Sequence, residues 1–220
     1  MERKIATFIV NRYRILLALL VLVTAFFAYH IPKITIVSDI TDLLSSEHSY
    51  VKLDKEFRNI FGGSNVVLIQ VKARNGTIFN EAILKKVRRI TDQLVFFPGV
   101  DRNKVYSIAA RKIKHMKVTS WGMEIPPIMW PEIPNTPEDM AALKNRVFTN
   151  DTVFGKLVSL DGRAALISSE FVPEEIDFRE TFKQFQKLRA EEEDSLVEIN
   201  IVGDPIIYGY IDSYLTQTFS

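Results

Sequence analysis

A long apolar run near the start of the chain differs in pattern from everything that follows it. Residues 15–29 carry no charged side chain, and Arg3, Lys4, Arg12 and Arg14 precede them. A run of about 15–17 apolar residues is close to the shortest that crosses a hydrocarbon core of about 30 Å. Because the cations precede the run, the positive-inside rule predicts a membrane-spanning helix with its N-terminus in the cytoplasm.

Two other interpretations of this run stay open: a cleaved secretory signal and a buried helix of a soluble protein. Residues 25–30 offer a poor pair of small residues for a signal-peptide cleavage site, which favours a retained helix. The preceding segment 5–10 is also apolar. The spanning helix is therefore long enough if it begins there, with Arg12 and Arg14 reaching the lipid headgroups.

Beyond this run, apolar positions repeat with a period of about 2 in some segments and about 3.6 in others. Strands are predicted at 34–38, 65–72, 104–109, 153–160, 163–171 and 196–202, and helices at 47–61, at 79–97, from Thr136 to about Phe148, and from Pro173 onward. Helices of about 13–19 residues that alternate with strands predict an α+β fold. We expect two ferredoxin-like βαβ units, each with its helices on one face of a sheet.

The chain is predicted to have three parts. They are the N-terminus with the membrane helix, 1–33; one domain, 34–204, with subunits at 34–110 and 138–204 and an insert at 111–137; and a final segment, 205–220. The final segment is aromatic, has a helical pattern and lacks a closing cap, so we expect it to approach a second membrane helix.

The insert is rich in large apolar residues, although its sequence does not favour a regular helix or strand. Prolines at 126, 127, 131 and 134 oppose a helix or a central strand, whereas the basic alternation over 111–117 predicts an exposed edge strand. The candidate site residues are Trp121, Met123, Ile128, Met129 and Trp130. They either fill a core between the two subunits, or line a hydrophobic substrate path or a subunit contact.

Composition narrows the function classes. With 28 basic and 27 acidic residues the net charge is +1, which does not favour nucleic acid as a partner. The chain has no cysteine, so it has no disulfide and no thiolate metal site. Lys112, Lys114 and Lys117 either contact anionic lipid headgroups or belong to an ordinary exposed strand.

Catalytic patterns are missing from the sequence. His30, His48 and His115 stand far apart, without the spacing of a metal site, and no nucleophile elbow or phosphate loop occurs. We therefore predict no catalytic residue, no metal and no cofactor, and expect the chain not to be an enzyme. A membrane-anchored hydrolase is the weakest of the hypotheses, because no nucleophile and base stand out.

A series of short motifs runs along the chain in order. It comprises Asn11-Arg12, Ser38-Asp39, Thr41-Asp42-Leu43-Leu44, His48, Phe57 with Phe61-Gly62-Gly63, and Gly203-Asp204-Pro205. The series resembles the N-terminal part of resistance–nodulation–division (RND) exporters, in the branch with the hopanoid transporters and the mycobacterial MmpL proteins. Ser45 departs from the family, in which proline often follows the double leucine.

The resemblance implies a transporter of the bacterial inner membrane whose first helix precedes a periplasmic porter domain. Such exporters move lipids or hydrophobic small molecules by proton-coupled alternating access. The implied partners are membrane lipids, the hydrophobic substrate, and a further copy or a second porter domain of the same polypeptide. The family's proton-relay residues lie on a later helix, so the resemblance assigns no such residue here.

A second hypothesis comes from a different class. The chain is then a complete single-span membrane protein, and its periplasmic α+β domain is a binding or assembly module. The final segment discriminates the two hypotheses, since a single-span protein is expected to close its last element and finish in a polar tail.

Overall fold

The computed structural model describes residues 12–30, 48–61, 65–173 and 175–218. The chain divides into two compact units, Met1–Val37 and Ser38–Ser220. The first contains helix α1 (Tyr13–His30), which is long and apolar enough to cross a membrane by length and composition, and none of its side chains is buried. The predicted strand at 34–38 lies outside the described residues.

The second unit alternates helices and strands. In chain order its elements are α2 (Ser49–Phe61), β1 (Val66–Ala73), α3 (Glu81–Leu94), a 3₁₀ turn (Arg102–Lys104), β2 (Lys117–Thr119), β3 (Gly122–Glu124), α4 (Pro137–Phe148), β4 (Ala164–Glu170), α5 (Phe178–Glu192), β5 (Val197–Val202) and α6 (Asp204–Thr218). The fold class is therefore α+β, as the sequence predicts.

A small antiparallel sheet has β1 at its centre, with the strand order β4-β1-β5. It combines one strand of the expected subunit 34–110 with two strands of the expected subunit 138–204, rather than giving each subunit a sheet of its own. Ile69 of β1 lies opposite Ile167 of β4 and Ile201 of β5. Alternate residues of β1 are buried, because successive side chains of a strand point to opposite faces. The buried face of the sheet, together with the apolar sides of α3 and α5, supplies much of one hydrophobic core.

Three helices begin where the sequence places a capping residue. The side chains of Asn80, Thr136 and Asp177 accept hydrogen bonds from backbone amides in the first turns of α3, α4 and α5. Each bond satisfies an amide that has no partner inside its helix. The predicted start at Thr136 and end near Phe148 are confirmed, whereas the helix predicted from Pro173 begins at Phe178.

The strand predicted at 104–109 is wrong. Asp101 caps the 3₁₀ turn, and only Tyr106 then pairs with the sheet, exchanging two backbone hydrogen bonds of 2.8 Å with Ser168. Ser107, Ile108 and Ala109 are buried in succession, which a strand at the surface of a sheet would not produce. This segment adds a single rung to β4, on the edge opposite β1.

The strand predicted at 153–160 is also wrong. Val153 accepts the amide of Leu157 at 2.8 Å, so the two buried residues are one helical turn apart rather than alternating along a strand. Gly155, with φ of +75°, breaks any extended path. The turn predicted at Asp161-Gly162 is present, because the amide of Gly162 donates to the carbonyl of Ser159 at 2.8 Å.

The insert at 111–137 forms a hairpin rather than the edge strand predicted for 111–117. β2 pairs antiparallel with β3, and behind them Lys114 bridges to Pro127. The amide of His115 donates to Pro126 at 3.0 Å, and that of Ile128 donates to Ile113 at 2.9 Å. The basic segment therefore does pair as a strand, and its partners are the proline-rich residues that follow it.

Candidate functional site

The end of β5 and the start of α6 form a tight junction around one glycine. Gly203 has φ of +142°, and a Cβ there would lie 2.2 Å from the carbonyl oxygen of Val66. Only glycine allows the strand to turn this closely against β1. The amide of Ile206 then donates to Gly203 at 3.0 Å, so the helix begins directly after the turn.

Helix α6 is held closely against α5. A Cβ on Gly209 would lie 2.2 Å from the carbonyl oxygen of Phe178, so the two helix backbones are almost in contact. Beside this contact the guanidinium of Arg179 donates to both carboxylate oxygens of Asp212, at 2.7 and 3.1 Å. This pairing raises the pKa of Arg179. The geometry fixes α6 relative to the sheet.

An apolar groove with a volume of about 690 Å³ opens between α5, the end of β5 and α6. Its lining is Phe182, Gln186, Ile201, Val202, Gly203, Ile206, Ile207 and Tyr210. Val202, Ile207 and Tyr210 each expose more than half of their surface, so the groove is open to solvent. This volume lies within the range of about 300–1,000 Å³ that is typical of small-molecule sites.

None of the residues predicted as a site lines this groove. Its signal was the pair of apolar doublets, Ile201-Val202 and Ile206-Ile207, on either side of Gly203-Asp204-Pro205. All four of these residues line the groove, on either side of the turn. The pattern predicts a strand followed by an aromatic helix, whereas the surface between them arises only when the helix packs on β5 and α5.

The five residues predicted as a site do not come together. Ile128 and Met129 lie in the hydrophobic core, where they close the base of the hairpin. Trp121 is 97% exposed at the hairpin tip, and Met123 is 61% exposed beside it. Trp130 is half-buried at the base. Ile128 and Met129 are therefore core residues, whereas Trp121 and Met123 are the exposed members of the set.

Trp130 is held by cations. The guanidinium of Arg111 lies 4.1 Å from the centre of the indole ring, and that of Arg88 lies 5.9 Å from it. Among aromatic rings, tryptophan offers the most favourable face for a cation–π contact. Arg88 also pairs with Asp92 at 2.9 Å. These contacts tie the base of the hairpin to α3.

Two groups on the first arm of the hairpin have shifted pKa values. Burial lowers the pKa of His115, and the neighbouring positive charges of Arg146 and Lys117 lower it further. Burial lowers the pKa of Lys112, whose ammonium lies 3.6 Å from the ring centre of Tyr106 and donates to the carbonyl of Asn103. Lys114 and Lys117 are exposed.

Within 12–30, 48–61, 65–173 and 175–218, no group of three histidine or carboxylate side chains could hold a metal ion. Comparison of the sequence with protein-family models and with curated proteins gives no match.

Proposed function

We propose that this chain is part of a membrane exporter of the RND type, which moves lipids or hydrophobic small molecules by proton-coupled alternating access. In this proposal α1 spans the inner membrane with its N-terminus in the cytoplasm, and the α+β unit is a periplasmic porter domain. The observation that carries the proposal is the groove beside α6, because its size and apolar lining suit a hydrophobic cargo.

The strand order supports the porter assignment. β5, β1 and β4 are adjacent and antiparallel, and Tyr106 adds a rung on the outer edge of β4. With α3 after β1 and α5 after β4, this arrangement is similar to a ferredoxin-like βαββαβ unit in which the single rung at Tyr106 stands in place of the second strand. The resemblance to RND exporters implies units of this kind directly after the first helix.

The groove suggests how such a domain contributes to transport. Alternating access can proceed by motion of a whole domain, and because α6 is held on α5 and β5 the groove moves with the domain as one body. Transfer of a hydrophobic cargo from water into the groove is favourable in free energy. Gln186, which belongs to the lining, supplies one polar group that orients the cargo. The role of the chain is binding and passage of cargo, without covalent chemistry.

Two steps test the proposal. The reading frame is first sequenced beyond the codon for Ser220, where we expect further apolar helices, one of them with an acidic residue inside the membrane. Then Ile207→Glu is introduced into the complete protein, and we expect slower export of a lipophilic dye from cells. Leu160→Glu is the matched control, since Leu160 is 72% exposed and lies outside the groove.

A stop codon directly after Ser220 would contradict the exporter and favour the second candidate. In that candidate the chain is a single-span protein whose α+β domain binds a partner. The observation that favours it is the fully exposed Trp121 at the end of a hairpin, because exposed aromatic side chains are enriched where proteins make contacts. Pull-down by the wild-type chain but not by Trp121→Ser would support it.

A further inference from the structure

The hairpin from Ile113 to Ile128 has an unusual distribution of apolar side chains. Ile128 at its base is buried in the core, whereas Trp121 in the two-residue turn at its tip is almost completely exposed. The turn is closed by the hydroxyl of Thr119, which donates to the carbonyl of Gly122 at 3.0 Å. Burial of an aromatic side chain removes about 150–250 Å² from water, so a partner that covers this indole gains a favourable hydrophobic contribution.

The pairing of β2 with β3 also places the apolar side chains behind the tip on one face. Val118 is opposite Met123, so by alternation Met116 and Ile125 share the face of Met123. Met116, Met123 and Ile125 each expose more than half of their surface. Lys117 and Glu124 form the next cross-strand pair and belong to the opposite face. The outer part of the hairpin is therefore amphipathic.

The charges around this face are mostly positive. Arg111, Lys112, Lys114 and Lys117 stand on the first arm, and Glu124 is the carboxylate on the second. Arg111 is engaged by Trp130, and Lys112 by Tyr106 and Asn103. In the described part of the chain, no carboxylate is within ion-pairing distance of the ammonium of Lys114 or Lys117.

The distances along the hairpin match the layers of a bilayer surface. Strand residues advance by about 3.3 Å, so the turn that carries Trp121 lies roughly 10 Å beyond Lys117. Amphipathic elements insert by about 5–10 Å into the interface, which brings the indole to the aromatic belt and Lys117 to the headgroups. Lys114 is then within about one Debye length of the anionic surface.

We propose that the hairpin is a lipid-contacting element, which inserts Trp121 and the face of Met116, Met123 and Ile125 into the surface of an anionic phospholipid bilayer. The exposed lysines supply the attraction to the anionic headgroups. The element is separate from the groove, and the inference stands whether or not the chain belongs to an exporter.

The two tryptophans make the test direct. The full chain is reconstituted in vesicles of phosphatidylcholine and phosphatidylglycerol with brominated acyl chains in both leaflets, and tryptophan emission is excited selectively. In Trp130→Phe the remaining indole is Trp121, and in Trp121→Phe it is Trp130. We expect bromine to quench Trp121 strongly and Trp130 weakly, and the quenching of Trp121 to increase with the phosphatidylglycerol fraction and decrease with added salt.

Charge reversal tests the electrostatic part. Lys114→Glu with Lys117→Glu should lower the ratio of inserted to free hairpin by roughly tenfold or more, since each cation near such a surface contributes about 1 kcal/mol. Lys156→Glu with Lys183→Glu makes the same change of charge at exposed positions elsewhere and should leave the quenching unchanged.

Three results would overturn the proposal. The first is that Trp121 gives the emission of a water-exposed indole and is not quenched by bromine. The second is that Trp121 is not quenched by bromine but is shielded from water to a degree that increases with the protein-to-lipid ratio, which means that protein covers it. The third is that Trp121 is quenched equally in purely zwitterionic vesicles. If Trp130→Phe fails to fold, a fluorophore on Trp121→Cys replaces it, because the chain has no other cysteine.

Discussion

The guanidinium of Arg89 on α3 donates two hydrogen bonds to the carboxylate of Glu192 at the end of α5, one to each oxygen, the second at 2.6 Å. This pairing raises the pKa of Arg89. Glu192 is only 3% exposed, and Lys86 supplies a second cation 3.6 Å from it. The cluster joins the two helices that cover the sheet, and a buried carboxylate needs such partners to remain charged.

We predict that Glu192→Gln lowers the free energy of unfolding by about 2 kcal/mol, since Arg89 then loses its buried carboxylate partner, whereas Lys86 keeps Asp194 at 3.1 Å. Arg89 is half-exposed, and solvent moderates the loss. The measurement is urea unfolding of the chain in mild detergent, followed by tryptophan emission. Asp92→Asn is the control: it breaks the exposed pair with Arg88 and should cost less than about 1 kcal/mol. Equal losses in the two variants would contradict the assigned role of Glu192.

At Gly209, helix propensity and packing predict opposite effects of a substitution to alanine. In an isolated helix, Gly→Ala stabilises the helix by about 1 kcal/mol. Here the new Cβ would lie 2.2 Å from a backbone carbonyl oxygen and 2.5 Å from the Cβ of Phe182. We predict that Gly209→Ala lowers the free energy of unfolding by about 1–3 kcal/mol, as substitutions that overpack a site do. Urea unfolding gives the sign directly, and a stabilised variant would mean that α6 is not held against α5 in this way.

Two buried serines should respond in opposite ways. The hydroxyl of Ser107 lies 2.7 Å from that of Thr91 and accepts the amide of Ala109 at 3.0 Å, so Ser107→Ala should cost about 1–2 kcal/mol. The hydroxyl of Ser169 is buried without a hydrogen-bond partner, so Ser169→Ala should be neutral or slightly stabilising. Thermal unfolding of both variants compares them. A clear loss for Ser169→Ala would show that its hydroxyl is bonded in solution.

His115 should make the α+β unit sensitive to acid. Burial and the charges of Arg146 and Lys117 hold its pKa below 6.5, the ordinary value, so the unfolded chain takes up a proton first as the pH falls. Its contribution to stability is complete above pH 6.5 and is lost as the pH falls through the folded pKa.

The variant His115→Gln isolates this effect. We predict that the urea midpoint of the wild type falls more between pH 7.5 and pH 5 than that of His115→Gln. Carboxylates titrate alike in both proteins, so the difference between them belongs to the histidine. Parallel pH profiles would contradict the assigned shift.

The parts of the fold that the sequence predicts are those with a local cause. The pattern of β1 alternates cleanly, and Thr136 with Pro137 gives a helix start that depends on neighbouring residues alone. The order of the strands was not predictable to the same degree, because the pairing of β1 with both β4 and β5 joins residues more than 90 positions apart.

The two missed segments share a physical reason. In 153–158 and in 105–109 the apolar residues are buried by turns that close locally, so a short apolar run has the composition of a strand without the conformation of one. The candidate site shows a related limit. Composition marks the residues from Trp121 to Trp130 as apolar, but only the hairpin pairing separates a buried base from an exposed tip.

The central claim is that the groove beside α6 binds a hydrophobic ligand, and photolabelling tests it most directly. The full chain is reconstituted in vesicles with a photoactivatable phospholipid, irradiated, digested and mapped by mass spectrometry. We predict labels on the groove residues of 201–210 that unlabelled lipid displaces in a saturable way and that Ile207→Glu, but not Leu160→Glu, removes. Labels confined to α1 and the hairpin, with none in 201–210, would contradict the claim.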